Sequence, residues 1–282
     1  MRPVAELIRL FTELGDKDPQ HYVPEDRALF SEFREAANYN LVRCAQRGDD
    51  GQWTVNPWFK KTLLAGMRLG QLHEIEGWYP RVNFFDKQTF PLRVFNLSDK
   101  VRVVPGGTSI RDGAFIGSGV VVMPPSFVNV GAWVGEDTML DSHVLVGSCA
   151  QIGRRVHLSA GVQIGGVLEP VGALPVIVED DVVIGGNCGV YEGAIIRSRV
   201  VLGTGVIING STKVYDLVHG KTYQREGNAP LEIPANAVVI PGSRPASGDY
   251  AAAHGLHIAT PLIVKYRDDK TDAKAALEDA LR

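Results

Sequence analysis

A repeat of six residues organises the middle of this chain. Between residues 104 and 214, every sixth position holds a branched aliphatic side chain, in two runs separated by a shift of two residues. The first run is Val104, Ile110, Ile116, Val122, Val128, Val134, Leu140, Val146, Ile152, Leu158 and Ile164, and the second is Val178, Ile184, Val190, Ile196, Leu202, Ile208 and Val214. Neither a helical period nor strand alternation produces a period of six. The repeat predicts a mainly-β fold, a parallel β-helix of hexapeptides, in which each hexad forms one short strand and one turn around an inward aliphatic residue.

Composition excludes several classes of partner. The chain has 282 residues, is 45% hydrophobic and carries a net charge of -3, so no basic field for nucleic acid or anionic membrane is expected. No apolar run approaches the roughly 20 residues of a membrane span, and the first six residues lack the apolar core of a signal peptide. The three cysteines have no metal-ligand spacing, and Cys149 and Cys188 are predicted to be packing residues. We therefore expect a cytoplasmic protein.

Residues 1–100 differ from the repeat and predict a helix-rich α/β domain. An apolar stripe from Val4 to Leu14 predicts a helix ending at Gly15, and a second helix is predicted from Pro24 to about residue 42. A turn at 48–51, a strand at 52–55 and a third helix from residue 57 complete this domain. We expect the domain to cap the open end of the coil, where unpaired strand edges would otherwise be exposed.

The β-helix is predicted to span residues 101–244 and to carry two loops. The phase shift marks a Gly- and Pro-rich loop at 165–177, and the chain leaves the coil again at 215–232 before two last hexads at Ile233 and Val239. Loops on a regular scaffold are frequent places for function. Residues 245–282 form a short C-terminal segment with a strand at 261–266 and a charged amphipathic helix at about 271–282.

Several short strings resemble the tetrahydrodipicolinate N-succinyltransferase family. The most specific are Asp-Gly-Gln-Trp at 50–53 and Gly-Gly-Val-Leu-Glu-Pro at 165–170. Further similar strings are found at 57–61, 101–105, 138–141, 146–153 and 262–265. The resemblance covers most of the chain and is weakest over residues 1–30. The hexads alone indicate only the wider superfamily of hexapeptide acyltransferases.

The resemblance implies a trimer of left-handed parallel β-helices with active sites between subunits. Succinyl-CoA would be a co-substrate, with no permanently bound cofactor, and the amine of ring-opened tetrahydrodipicolinate would attack its thioester. The products would be N-succinyl-2-amino-6-oxopimelate and CoA, on the diaminopimelate and lysine route. A homotrimer is also predicted from outward apolar residues that a soluble monomer would avoid exposing, namely Val103, Val121, Val201 and Ile207.

Two residues are candidates for contact with the substrate. Asp141 follows Leu140 at a place where neighbouring hexads have glycine, and an amine attacking a thioester needs a nearby proton acceptor. Spacing alone leaves open that Asp141 is a solvated turn residue, whereas the resemblance implies that it is the catalytic base. Arg102 is either a solvated residue at a strand edge or, as the resemblance implies, a ligand of the dicarboxylate, which suits a bidentate guanidinium.

One position departs from the family pattern. The resemblance places a catalytic or substrate-contacting Glu where this chain has Gly189, while the following Glu192-Gly193 pair is retained. One interpretation is that the reaction is kept, with Asp141 as base and Glu192 or water handling a second proton. The other is that the missing carboxylate marks a changed substrate or an inactive site. We favour the first interpretation because Asp141 and Arg102 remain.

Candidates for binding the acyl-CoA are Gly165, Gly166 and Lys213, and Lys221, Arg244 and Lys265 could also meet its phosphates. No metal site is expected, because His143, His157 and His219 do not lie in a metal-binding string. Two alternatives remain open: the acetyl-CoA version of the same reaction, and a non-catalytic solenoid.

Overall fold

The structure is a computed structural model and describes residues 2–75, 84–227 and 229–268. The chain begins with α1 (Val4–Asp16), α2 (Pro24–Asn38), β1 (Ala45–Arg47), β2 (Trp53–Val55), α3 (Pro57–Leu69), β3 (Leu72–Ile75) and β4 (Phe84–Lys87). The three helices bury an aromatic core that contains Phe11, Phe30, Phe33 and Phe59.

The predicted helices are confirmed, with two corrections to their ends, and the strand predicted at 52–55 is found at Trp53–Val55. Helix α1 runs past Gly15 to Asp16, and its last turn is closed by the Lys17 amide, which donates to the Leu14 carbonyl. Helix α2 ends at Asn38, so Leu41 and Val42 lie beyond it. The sequence did not predict β1 or the β3–β4 hairpin.

The repeat forms a coil of two-residue strands, and each strand pairs in parallel with the strand three hexads further along. In chain order the strands are β5 (Arg102–Val103), β6 (Ser109–Ile110), β7 (Phe115–Ile116), β8 (Val121–Val122), β9 (Phe127–Val128), β10 (Trp133–Val134), β11 (Met139–Leu140), β12 (Leu145–Val146), β13 (Gln151–Ile152), β14 (His157–Leu158), β15 (Gln163–Ile164), β16 (Ile177–Val178), β17 (Val183–Ile184), β18 (Gly189–Val190), β19 (Ile195–Ile196), β20 (Val201–Leu202) and β21 (Ile207–Ile208). The second residue of nearly every strand is buried in the coil core. The parallel β-helix is therefore confirmed.

The strands stack into three faces. Face A contains β5, β8, β11, β14, β17 and β20, face B contains β6, β9, β12, β15, β18 and β21, and face C contains β7, β10, β13, β16 and β19. We name the edges of this prism by the faces they join, so that a turn leading from face A to face B lies on edge AB. The first residue of each two-residue strand points outward and the second points inward.

The chain leaves the coil after β21 and then completes it. Strands β22 (Val214–Asp216) and β23 (Lys221–Tyr223) form an antiparallel pair, and β24 (Glu232–Ile233) and β25 (Ala237–Pro245) then stack on faces C and A. After α4 (Asp249–Ala253), β26 (His257–Tyr266) pairs with β25 and β22. The two last hexads are confirmed, and the predicted strand at 261–266 begins earlier, at His257. The predicted helix at 271–282 lies outside the described residues.

The first hexad is out of register with the repeat. Val103, and not Val104, pairs with the inward residue Val122, so the interpretation of Val103 as an outward residue is wrong. The cause is a turn that is one residue longer than the others and contains Gly106 and Gly107, both at positive φ. Because β5 is the last strand of its sheet, Val103 remains exposed there.

The helix-rich domain covers face C of the coil, which corrects the expectation that it caps the open end. Of the five strands of face C, four have an apolar or aromatic outward residue, and the fifth, β13, has Gln151, which accepts a hydrogen bond from the Arg43 guanidinium. The Trp133 indole donates to Asn40 Oδ1 over 2.8 Å. Ala45 packs against Ile177 and Ile195. The helices therefore lie beside the coil, while Phe95, near the end of the same N-terminal segment, packs on the coil core.

Polar groups also fix this domain to the coil. Glu179 is 5% exposed and accepts hydrogen bonds from the Trp53 indole at 3.0 Å and from the Arg197 guanidinium at 2.9 Å, each to Oε1, while Oε2 accepts from Ser198. Burial alone would raise the pKa of Glu179, but the hydrogen bonds from Trp53, Arg197 and Ser198 together hold the pKa below its ordinary value. The carboxylate is therefore stable in its charged form at this interface.

The edges of the prism require glycine where consecutive turns meet. A Cβ atom on Gly147 would overlap the backbone nitrogen of Gly166 in the next coil. We predict that Gly147→Ala lowers the free energy of unfolding by about 1–3 kcal/mol, the usual effect of overpacking. Gly172→Ala is the matched control, because no atom lies within 4 Å of its Cβ position. The thermal midpoints of both variants, followed by circular dichroism, test this; equal midpoints would contradict it.

Candidate active site

Asp141 lies on edge AB, immediately after β11, and is half-buried. Its backbone amide donates to the Leu158 carbonyl of the next coil, and its Oδ1 accepts a hydrogen bond from the Ser142 amide at 2.7 Å. Asp141 is not among the residues at positive φ, so this turn does not need an Asp for its backbone conformation. Within the described chain, Oδ2 has no hydrogen-bond partner. One carboxylate oxygen is therefore positioned and the other is available.

Arg102 lies on the same side of the prism as Asp141. It is the outward residue of β5 on face A, and it is exposed. Strand β5 pairs with β8, which pairs with β11, the strand that precedes Asp141. Two strand spacings separate the strands, which is roughly 10 Å. The fold therefore places Arg102 and Asp141, the two residues that the sequence proposed for contact with the substrate, on one side of the prism.

Glu192 lies on a different edge. It follows β18 on edge BC and has a φ of 55°. Its Oε2 accepts a hydrogen bond from the Gly210 amide in the next coil at 2.9 Å. The carboxylate thus stabilises the turn of a neighbouring coil. Face B separates it from Asp141, so one subunit does not bring the two acids together.

A cavity of about 860 Å³ opens beside Glu192 on edge BC. Its lining includes Gly165, Gly166, Tyr191 and Arg225. The loop that forms its outer wall is held by the buried Lys60, whose Nζ donates to the Ala173 carbonyl at 2.7 Å. Burial lowers the pKa of Lys60. The helix-rich domain therefore shapes this cavity from outside the coil.

A second cavity, of about 370 Å³, lies between the turn after β21 and the β25–β26 hairpin. Lys213 and Arg244 line it, so two of the cations considered for the CoA phosphates converge here. Lys221 and Lys265 do not line it, and Lys265 pairs with Asp268. Lys213 therefore does not share a cavity with Gly165 and Gly166.

Sequence reasoning missed two residues of the larger cavity, Tyr191 and Arg225. It also missed a cluster in which the buried Asp216 accepts from the His219 Nδ1 at 2.9 Å and from the Tyr266 hydroxyl at 2.8 Å. Burial would raise the pKa of Asp216, but these hydrogen bonds hold it below the ordinary value. The cluster ties the loop after β22 to β26. No short motif in the sequence indicates these contacts, because they join separate elements.

The described residues contain no group of three or more His, Cys, Asp or Glu side chains arranged to hold a metal ion. None of the helices in the described ranges has the length and apolar character of a membrane span.

The chain is similar to known proteins along most of its length. Residues 175–209 match the model of the hexapeptide repeat of succinyl-transferase. The 2,3,4,5-tetrahydropyridine-2,6-dicarboxylate N-succinyltransferase of Bartonella bacilliformis is 42% identical over 266 residues, which cover 90% of this chain and 92% of that protein. The protein of the same name from Polynucleobacter asymbioticus is 42% identical over 286 residues, covering 99% of this chain and 98% of that protein.

A solved structure from Campylobacter jejuni, described as a candidate 2,3,4,5-tetrahydropyridine-2-carboxylate N-succinyltransferase, covers 82% of this chain and 61% of that one. It is 16% identical, with a TM-score of 0.45. The extent and identity of the two sequence matches carry the assignment: this chain belongs to the tetrahydrodipicolinate N-succinyltransferase family.

Proposed function

We propose that this protein transfers a succinyl group from succinyl-CoA to the amine of ring-opened tetrahydrodipicolinate. The products are N-succinyl-2-amino-6-oxopimelate and CoA, in the diaminopimelate route to lysine. The observation that carries the proposal is the 42% identity, over nearly the whole chain, to relatives named for this reaction. The placement of Arg102 and Asp141 on one side of the prism supports it.

The reaction is the aminolysis of a thioester. The amine nitrogen forms a bond to the acyl carbon, the carbon–sulfur bond breaks, and the CoA sulfur leaves and takes up a proton. We assign Asp141 as the base that accepts the proton of the amine, because its Oδ2 is available while Oδ1 is fixed by Ser142. Arg102 binds a carboxylate of the substrate. Glu192 stays the proposed second acid, although its carboxylate already accepts a hydrogen bond from Gly210.

The acyl-CoA is proposed to lie along edge BC. Lys213 and Arg244, in the smaller cavity, provide positive charge for its phosphates. Gly165 and Gly166 line the larger cavity, where exposed backbone allows close approach of the pantetheine arm or the acyl group. Succinyl-CoA is a co-substrate that leaves as CoA, and no permanently bound cofactor is proposed.

We further propose a left-handed coil and a cyclic homotrimer with active sites between subunits. The helix-rich domain covers face C, which leaves faces A and B for subunit contacts. Their outward residues include Val121, Met139 and Val201 on face A and Phe127, Leu145 and Ile207 on face B. A cyclic assembly joins two different surfaces at each contact. Such contacts would explain how acids on separate edges serve one reaction.

The domain limits 1–100, 101–244 and 245–282 and the cytoplasmic location stay predictions.

The functional test is an assay of thiol release with purified protein, tetrahydrodipicolinate and either succinyl-CoA or acetyl-CoA. We expect turnover with succinyl-CoA and a much lower kcat/KM with acetyl-CoA. A higher kcat/KM with acetyl-CoA would show that acetyl-CoA is the acyl donor. No turnover with either acyl-CoA would favour the alternative of a non-catalytic solenoid.

We predict that Asp141→Asn lowers kcat roughly a hundredfold or more, because the amide keeps the shape but cannot accept the proton. The matched control is Asp137→Asn, a change of the same kind at an exposed turn residue of the same region. Steady-state kinetics of both variants measure the effect. A near-normal kcat in Asp141→Asn would show that Asp141 is only a turn residue.

We predict that Leu145→Asp, on face B, disrupts the trimer, because a charge would be buried in the subunit contact. The control Val4→Asp introduces the same charge at the first residue of α1, in the domain that covers face C, and should leave the trimer intact. Light scattering at micromolar concentration gives the mass of each variant. A monomeric unmodified protein would contradict the assembly and the shared active site.

A further inference from the structure

Gly189 is exceptional on the surface of the coil. Every other two-residue strand among the described residues has a side chain at its outward position, and only β18 has a glycine there. Gly189 is nevertheless buried. Something other than its own side chain therefore covers face B at this point.

The covering group is the side chain of Tyr191. A Cβ atom on Gly189 would lie 2.8 Å from the Tyr191 hydroxyl oxygen and 2.9 Å from its Cζ. A Cβ atom on Gly165, in the adjacent coil, would lie 2.8 Å from the Cδ1 of the same ring. The ring thus rests on two glycines at once, and its hydroxyl stands where a side chain at position 189 would begin. The ring in this position and a side chain at 189 exclude each other.

The Tyr191 hydroxyl is uncommitted. It has no hydrogen-bond partner among the described residues, and the side chain is half-buried on the wall of the larger cavity. The neighbouring outward residues of face B are less suited to bind a ligand. The Gln163 side-chain amide donates to backbone carbonyls, and Ile207 is apolar. Polar groups in partly buried places are usually hydrogen-bonded. A ligand or water must therefore satisfy this hydroxyl.

We propose that Tyr191 is a catalytic residue of the acyl transfer, whose hydroxyl oxygen accepts a hydrogen bond from the attacking amine and orients it towards the thioester. This inference rests on the proposed function. A phenol oxygen has acceptor lone pairs, as a carboxylate has, and here it reaches the place that a side chain at position 189 would occupy. The hydrogen bond orients the amine, and Asp141 of the partner subunit in the proposed trimer remains the base, since edges AB and BC of one subunit lie apart. In this chain the Tyr191 hydroxyl then provides the polar group that the family pattern has at position 189.

The decisive variant is Tyr191→Phe, which keeps the ring over Gly189 and Gly165 and removes only the hydroxyl. We expect kcat/KM for the amine substrate to fall about tenfold or more, with an unchanged thermal midpoint and an unchanged oligomer. The control is Tyr250→Phe, since Tyr250 is 72% exposed and its ring stacks on His254. A Tyr191→Phe variant with the kcat/KM of the unmodified protein would overturn the proposal, because the ring alone would then account for the residue.

A double-mutant cycle tests the coupling between the two positions. Gly189→Ala should lower kcat/KM in the unmodified protein, because the new methyl group displaces the ring, and should have little effect in Tyr191→Ala, where the ring is absent. An equal loss in both backgrounds would overturn the claim that Tyr191 acts from this position. Failure of the proposed function looks different: the unmodified protein itself would then transfer no acyl group.

Discussion

The close stacking of parallel strands, three hexads apart, is the constraint from which the rest of this structure follows. Adjacent strands lie roughly 4.8 Å apart, so successive turns on one edge nearly touch. The residue that follows each inward aliphatic sits at this tightest point, and Gly135, Gly147 and Gly153 occupy it because a Cβ atom there would meet the backbone of the next coil. A side chain at this position must lie outside the prism, because the space between the turns is filled.

Many turns have a side chain and not a glycine at this place, and some of these side chains contact groups outside the coil. Glu179 and Arg197 replace glycine on edge CA and bind each other, and Glu179 also binds Trp53 of the helix-rich domain. Asp141 stands at the equivalent place on edge AB, and Tyr191 on edge BC. The same geometric requirement thus explains a structural anchor and, in our proposal, two parts of the active site. The inward residues remain uniform because the coil interior is closely packed.

The helix-rich domain and face C of the coil are packed closely against each other. The Arg43 guanidinium stacks 3.7 Å from the centre of the Trp133 ring, and burial lowers the pKa of Arg43 to about 10, which still leaves it protonated at neutral pH. The same domain holds the loop of the larger cavity through Lys60. Faces A and B, without such a cover, keep partly exposed apolar side chains. The domain therefore leaves two faces of the coil uncovered and shapes a cavity on the edge between B and C.

The six-residue period alone determined the parallel coil, its inward residues and the places where the chain leaves it, because only a strand-and-turn unit repeats at that interval. The resemblance to the family proposed Asp141 and Arg102 as site residues, and their roles stay predictions. The repeat predicted Val104 as the first inward residue, but Val103 takes that place. The turn that contains Gly106 and Gly107 is one residue longer than the others, and Val104 still lies six residues before Ile110, so the sequence pattern does not reveal the extra residue. The side on which the helix-rich domain packs, the separation of Glu192 from Asp141 and the position of the Tyr191 ring over Gly189 could not be read from it. Each of these depends on contacts between residues in different coils or domains, which only the tertiary structure brings together.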